Sequence, residues 1–324
     1  MTDINSKSTS VQNPTLGMQP HHAIIFLSLL GLGLVGPFLL YPVFLMKVMC
    51  FALFACAFNL LLGFTGLLSF GHAAYFGIAS YIAAHAVKVW GVSPELGILL
   101  GVASAAMLGL VIGSLAIRRQ GIYFAMVTLA FAQMVYFFSL QAPFTGGEDG
   151  IQAIPRGNLF GLISLRSDFM LYFVVLGITL GGILAIYRII HSPFGQVLKA
   201  IRENETRAIS LGYDVNRYKL MTYVLSAAIA GLAGSTKALV LQLASLVDVH
   251  WSMSGEVVLM TLIGGMGTVF GPILGAAVVV TMQNYLATFG AWVIVIQGCI
   301  FVLTVMLFRE GIIGLVAKWI KKPL

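Results

Sequence analysis

The stretch FALFACAFNLLLGF, residues 51–64, has one polar side chain in fourteen positions and no alternation of apolar with polar residues. Runs of this kind recur along the whole chain. A membrane-crossing strand would alternate lipid-facing and lumen-facing residues, whereas unbroken apolar runs of roughly twenty residues suit helices that cross the ~30 Å hydrocarbon layer. Composition agrees: 59% of the 324 residues are hydrophobic and 9% are charged. That leaves too few polar side chains to cover a water-soluble globule of this size. The chain therefore reads as an all-α integral membrane protein with about ten transmembrane or partly re-entrant helices. They are expected at 22–40, 43–62, 67–87, 95–117, 120–141, 169–189, 219–245, 254–269, 271–289 and 291–308, with 67–87 and the glycine-rich 254–269 as candidates for broken helices.

No linker divides the sequence. Residues 1–21 form a polar tail without the apolar core of a signal peptide, and residues 22–324 form one transmembrane domain. Cys50, Cys56 and Cys299 lie in apolar runs without metal-ligand spacing, so neither a disulfide framework nor a metal site is expected. The net charge of +7 bears on sidedness, not on nucleic acid, in a chain of this class. Arg118, Arg119, residues 188–219 and the tail Arg309, Lys318, Lys321 and Lys322 fall on one side if about ten spans alternate. That side is expected to be cytoplasmic and to hold both termini. Arg156 and Arg166 fall on the other side and blur the bias.

Charge is concentrated in one place. From Lys199 to Lys219, both included, there are eight charged residues, in a chain with 18 basic and 11 acidic side chains in all. Pro193 suits the first turn of a helix and Gly212 its end. Between them Phe194, Val197, Leu198, Ile201, Ala208, Ile209 and Leu211 make an apolar side, so one amphipathic helix is expected over 193–212, within a cytoplasmic connection at 190–218. A soluble partner could grip such a helix, with Arg202, Glu203, Glu205 and Arg207 fixing the register. A helix lying in the lipid headgroups is the alternative, and Glu203 and Glu205 count against it.

Polar groups inside the apolar runs are costly and need a cavity or a partner. Asn59, Thr65, Ser69, His72 and Tyr75 gather around a glycine break at Gly63, Gly66 and Gly71. Freed backbone groups there could meet a zwitterionic substrate in a translocation pathway; close helix packing, with His72 bonded to a neighbour, is the other reading. GGMGTVFG (264–271), with Gly264, Gly265 and Gly267, echoes GFTGLLSFG (63–71). Lys237 sits within a long apolar run, free to snorkel or to pair across a subunit interface. TGGEDGI (145–151) is a turn in which Gly146 and Gly147 would present Glu148 and Asp149 outward, as a gate or a docking loop. GLAGSTKA (231–238) imitates a phosphate loop without its spacing or its strand, so no nucleotide site is expected.

The runs LKAIRENETRAISLGYDVNRYKLMTYVLSAAIAGLAG (198–234), GFTGLLSFGHAAYFGIASYIAAH (63–85), TGGEDGI (145–151) and TLIGGMGTVFGPILGA (261–276) resemble, in order, permease subunits of branched-chain amino-acid ABC importers, the LivM type. The resemblance implies a multi-pass permease of the bacterial inner membrane, not itself an enzyme. Its implied partners are a second related permease, two ABC ATPase subunits and an extracytoplasmic substrate-binding protein, with ATP and Mg held on the ATPases and no cofactor in this chain. It also implies that the cytoplasmic helix docks on an ATPase through a Glu-Ala-Ala type motif and a following glycine, here matched by Glu205, Ala208 and Gly212, while Thr206 and Arg207 stand where the motif has small residues. Related urea importers tend to carry amides where Asp149 stands, which leans the substrate toward amino acids. An ion-coupled secondary amino-acid transporter is the alternative from another class, but it would want intramembrane acids and leaves the 193–212 segment without a role.

Overall fold

The computed structural model describes residues 20–159, 161, 163–286, 290, 292–307 and 311. Helices dominate them: α1 Pro20–Leu39, α2 Pro42–Thr65, α3 His72–Lys88, α4 Pro94–Ala116, α5 Ile122–Gln141, α6 Asp168–His191, α7 Pro193–Glu203, α8 Glu205–Ser210, α9 Val215–Leu241, α10 Trp251–Gly264, α11 Gly271–Leu286 and α12 Trp292–Leu307. The all-α reading holds, and ten of these helices correspond to the ten expected runs. Five of them, α2, α4, α5, α6 and α9, are long and apolar enough to cross a membrane by length and composition. The tail expected at 1–21 lies outside the described residues up to residue 19, as do 287–289 and, but for residue 311, the basic tail from residue 308 onward.

Burial sorts the spans. The apolar windows of α2 and α9 are 72% and 67% buried, against 33% in α5, so α2 and α9 form the interior and α5 the periphery. Small residues let the helices approach. Gly231 of α9 packs on Ala105 of α4, and Gly109 of α4 packs on Ala227 of α9. Gly234 lies so close to the Phe76 carbonyl of α3 that no side chain fits between them.

Both candidates for broken helices are interrupted. α2 ends at Thr65, Gly66 adopts φ +77°, and α3 begins only at His72. α10 has 14 residues, about 21 Å at 1.5 Å per residue, and gives way to an irregular stretch before α11. Both breaks lie on one face of the subunit. The Gly63 carbonyl accepts a bond from Arg202 of α7, Phe26 near the start of α1 stacks edge-on against Phe270, and Gly311 lies against Gly265. Arg118, Arg119, Arg188, Lys199, Arg207, Arg217 and Lys219 mark the same side, which we call the basic face.

The opposite face holds the connections 142–167 and 242–250. Two short antiparallel ladders stitch it: β1 Ile151–Gln152 pairs with β4 Leu243–Ala244, and β2 Asn158–Leu159 pairs with β3 Ile163–Ser164. Arg156, which blurs the charge bias, is paired here with Asp168 and donates to the Val240 carbonyl at 3.0 Å.

The single amphipathic helix expected over 193–212 is two helices. Asn204 adopts an extended conformation (φ −156°, ψ 99°) that ends α7, and its side chain accepts from the Arg207 N–H to cap α8. Asparagine competes for backbone bonds in this way, which disfavours it inside a helix and favours it at an N-cap. The terminators are as expected: Pro193 opens α7 after the Ser192 cap, and Gly212 turns the chain at φ +87°.

Candidate functional site

The two glycine breaks, distant in sequence, touch. Asn59, buried in α2, donates through Nδ2 to the Thr268 carbonyl at 2.8 Å and accepts at Oδ1 from the Gly267 N–H at 3.1 Å. One amide thus satisfies backbone groups of 265–270 that no helix could. Gly63 lies directly beneath this contact, against the Gly267 nitrogen. Thr65 bonds back to the Leu60 carbonyl at 3.3 Å. Gly264 ends α10, and Gly265 begins the irregular stretch at φ +119°. Asn59→Ala leaves two half-buried backbone groups without that partner and is expected to cost about 1 kcal/mol, read as a lowered midpoint of thermal unfolding in detergent.

Next to the breaks is a buried polar chain between α2, α3 and α9. Tyr75 and Tyr223 share a hydroxyl contact at 2.7 Å, and Ser69 reaches Tyr223 at 3.4 Å. His72 Nε2 stands 2.8 Å from Ser226 Oγ, whose single proton goes to the Ala57 carbonyl at 2.5 Å. His72 is therefore the donor, its Nε2 is protonated, and its Nδ1 is left as an acceptor with no protein partner among the described residues. Ser69, His72 and Tyr75 have no exposed surface. In this conformation they join helices inside the subunit, the packing alternative considered for them, while Thr65 and Gly66 reach an open cavity.

That cavity, about 260 Å³, lies on the basic face between the end of α2, the α4–α5 turn and the 190–218 segment. Its wall is charged. Glu205 pairs with Lys219 at 2.7 Å and accepts from Gln120 at 3.2 Å. A second, apolar cavity of about 420 Å³ adjoins it and shares Gly66, Leu67 and Gly121. Glu205 is half-buried and bonded within its own subunit, Arg202 is exposed along much of its surface yet donates to the Gly63 carbonyl, and Glu203 and Arg207 are exposed. The apolar side of the segment is divided too. Leu198, Ile201 and Ala208 are buried against the subunit, whereas Ile209 and Leu211 are 57% and 67% exposed.

On the opposite face Glu148 and Asp149 are exposed in a short 3-10 turn, set by Gly146 at φ +79° and Gly147 at φ +62°. The pairing of Lys237 is internal: its ammonium contacts both oxygens of Asp248, at 2.8 and 2.6 Å, and the two side chains are 5% and 4% exposed. Sequence reasoning placed Asp248 in an outer connection and did not join it to Lys237. The signal was there, since the turn after α9 brings residue 248 back to residue 237. Among the described residues no cluster of histidine, cysteine or acidic side chains could hold a metal ion.

Residues 42–306 match the family model described as branched-chain amino acid transport system, permease component. The chain belongs to this family. Members are transport subunits that work with further components of the same system, and this one is a multi-pass membrane protein. It is 28% identical over 301 residues to the high-affinity branched-chain amino acid transport system permease protein LivM of Escherichia coli, covering 84% of this chain and 70% of that protein. It is 24% identical over 286 residues to the probable branched-chain amino acid transport permease protein LivH of Methanocaldococcus jannaschii, covering 80% and 87%. The ribose import permease protein RbsC of Bacillus subtilis is 27% identical over 268 residues, covering 76% and 77%.

Proposed function

We propose that this permease works in the bacterial inner membrane, with its basic face and both termini in the cytoplasm, as one of two related permease subunits of an ATP-driven importer. Two ABC ATPases would bind the basic face and supply the energy with ATP and Mg, and an extracytoplasmic protein would deliver a branched-chain amino acid to the stitched face at Glu148 and Asp149. The charge distribution supports this sidedness. The kinship with LivM and LivH supports the substrate.

One observation carries the reading. On the basic face α8 and the turn after it expose Ile209, Leu211 and Tyr213, with Glu203 and Arg207 beside them. Apolar anchors flanked by charges of both signs suit a groove on a soluble protein better than an anionic bilayer. Gly212 and Ala208, matched earlier to the docking motif, belong to this surface as turn and as buried support; Arg202 and Glu205 tie it to the rest of the subunit.

The test is to extract the tagged chain from its native membrane in mild detergent and identify what stays bound by mass spectrometry. ATPase subunits and a second permease are expected, and the double variant Ile209→Asp, Leu211→Asp should lose the ATPases by about tenfold or more while keeping the second permease. A wild-type chain that comes out alone, or a double variant that retains its ATPases, would overturn the reading.

A further inference from the structure

Arg202 occupies a place that docking does not explain. It starts from α7, on the basic face, and although the residue is exposed to solvent its guanidinium reaches a main-chain group of the subunit. Its stem runs beneath Gly66, with Cγ in contact range of that residue, and its guanidinium donates to the Gly63 carbonyl and ends beside Gly267. Gly66 and Gly267 share a positive φ, +77° and +78°, one in each break. At Gly267 the absence of a side chain leaves room for the guanidinium, which a Cβ there would crowd. The two breaks are already joined to each other through Asn59. Arg202 therefore ties α7 to a joined pair of helix interruptions, at the point where α2 and α10 lose their regular bonding.

Other ties from the 190–218 segment go to different places and reach neither break. Glu205 holds Lys219 at the start of α9 and Gln120 in the α4–α5 turn. Phe194 stacks on Tyr218 with ring centroids 5.4 Å apart. Of the ties named, Arg202 is the one that reaches both breaks at once. The bond to the Gly63 carbonyl is charge-assisted on the donor side, which makes it stronger than a bond between two neutral groups.

We propose that Arg202 is a positioning residue that carries displacement of α7 to both glycine breaks, so that the ends of α2 and α10 move with the docking segment as one body. This rests on the reading that an ATPase drives that segment. It assigns the transmission to one side chain that faces the permease, and not to the surface that faces the ATPase.

The experiment uses the full transporter complex in lipid nanodiscs, with Cys299 replaced by serine and spin labels placed in pairs. One pair, Lys199→Cys with Val247→Cys, reports movement of α7 against the stitched face. The other, Met266→Cys with Val247→Cys, reports movement of the second break. Trapping the complex with ATP and vanadate is expected to shift both distances in the parent protein. In Arg202→Ala the first shift should persist and the second should vanish, and the ATP hydrolysed per amino acid imported should rise by about two- to thirtyfold, the range over which coupling between sites is commonly altered. Arg202→Leu keeps the stem against Gly66 without the donor. It is expected to behave like the alanine variant, and it carries the test if the alanine variant does not assemble. A Met266 shift of parental size in either folded variant would overturn the inference. If neither pair shifts in the parent complex, the nucleotide does not drive α7, and the proposed function falls together with the link.

Discussion

Asp248→Asn is expected to lower the stability of the folded subunit by about 3–5 kcal/mol, the usual loss when one partner of a buried ion pair is removed. The Lys237 ammonium is 5% exposed and contacts both Asp248 oxygens, so neutralising the acid strands a cation inside the bundle. Asp248 also accepts from the Ser245 N–H at 3.2 Å, which fixes the carboxylate and lets it answer the lysine with both oxygens. Removing both charges is a different matter. Lys237→Met with Asp248→Leu deletes the charges and their desolvation cost together, and such replacements are often neutral or stabilising. Thermal unfolding in detergent should therefore rank the single variants far below the parent and the double variant near it. Single variants with the parent's midpoint would mean that the pair is hydrated and that the packing described for it is wrong.

Gly234→Val carries the second large effect. A Cβ at this position would overlap the Phe76 carbonyl, which belongs to the backbone of α3 and cannot rotate away. α3 and α9 would have to separate along their shared seam. Overpacking costs about 1–3 kcal/mol where side chains can yield, and a clash with main chain belongs at or above the top of that range. Little folded, monodisperse protein should survive size-exclusion chromatography. Gly177 in α6 is the internal control: nothing lies within 4 Å of its would-be side chain, so Gly177→Ala should be neutral or stabilise by up to about 1 kcal/mol through helix propensity.

How much of this was legible in the sequence differs from element to element. The long apolar runs were legible as spans, and Pro193, read as a helix start, does sit in the first turn of α7; Pro42 and Pro94, which open α2 and α4, were signals left unread. The glycine breaks were legible as interruptions, since 63–71 and 264–271 concentrate residues that end helices. Their contact was not, because nothing local says that Asn59 reaches across more than two hundred residues to Gly267 and Thr268. The split of the 193–212 segment was hidden in a different way. Asn204 is tolerated in a helix and also caps one, and amphipathic spacing continues on both sides of it. The bonds that Arg202 and Glu205 make within the subunit escaped because charges on a short helix are read first as solvent-facing; Arg202 is indeed exposed, and only the partners Gly63 and Lys219 reveal the ties.

The ladders of the opposite face have a mechanical consequence. β1 and β4 join the connection after α5 to the connection after α9, and Arg156 ties the same region to the end of α9 and the start of α6. The basic face has no such ladder among the described residues; its helices end at glycines and side-chain ties. Were α7 driven as proposed, a bundle stitched at the opposite end would tilt about that end, as a set of levers with a common fulcrum. Displacement then grows along each helix and is greatest at the basic face, so that a given rotation is cheapest to drive from the side that bears α7 and α8.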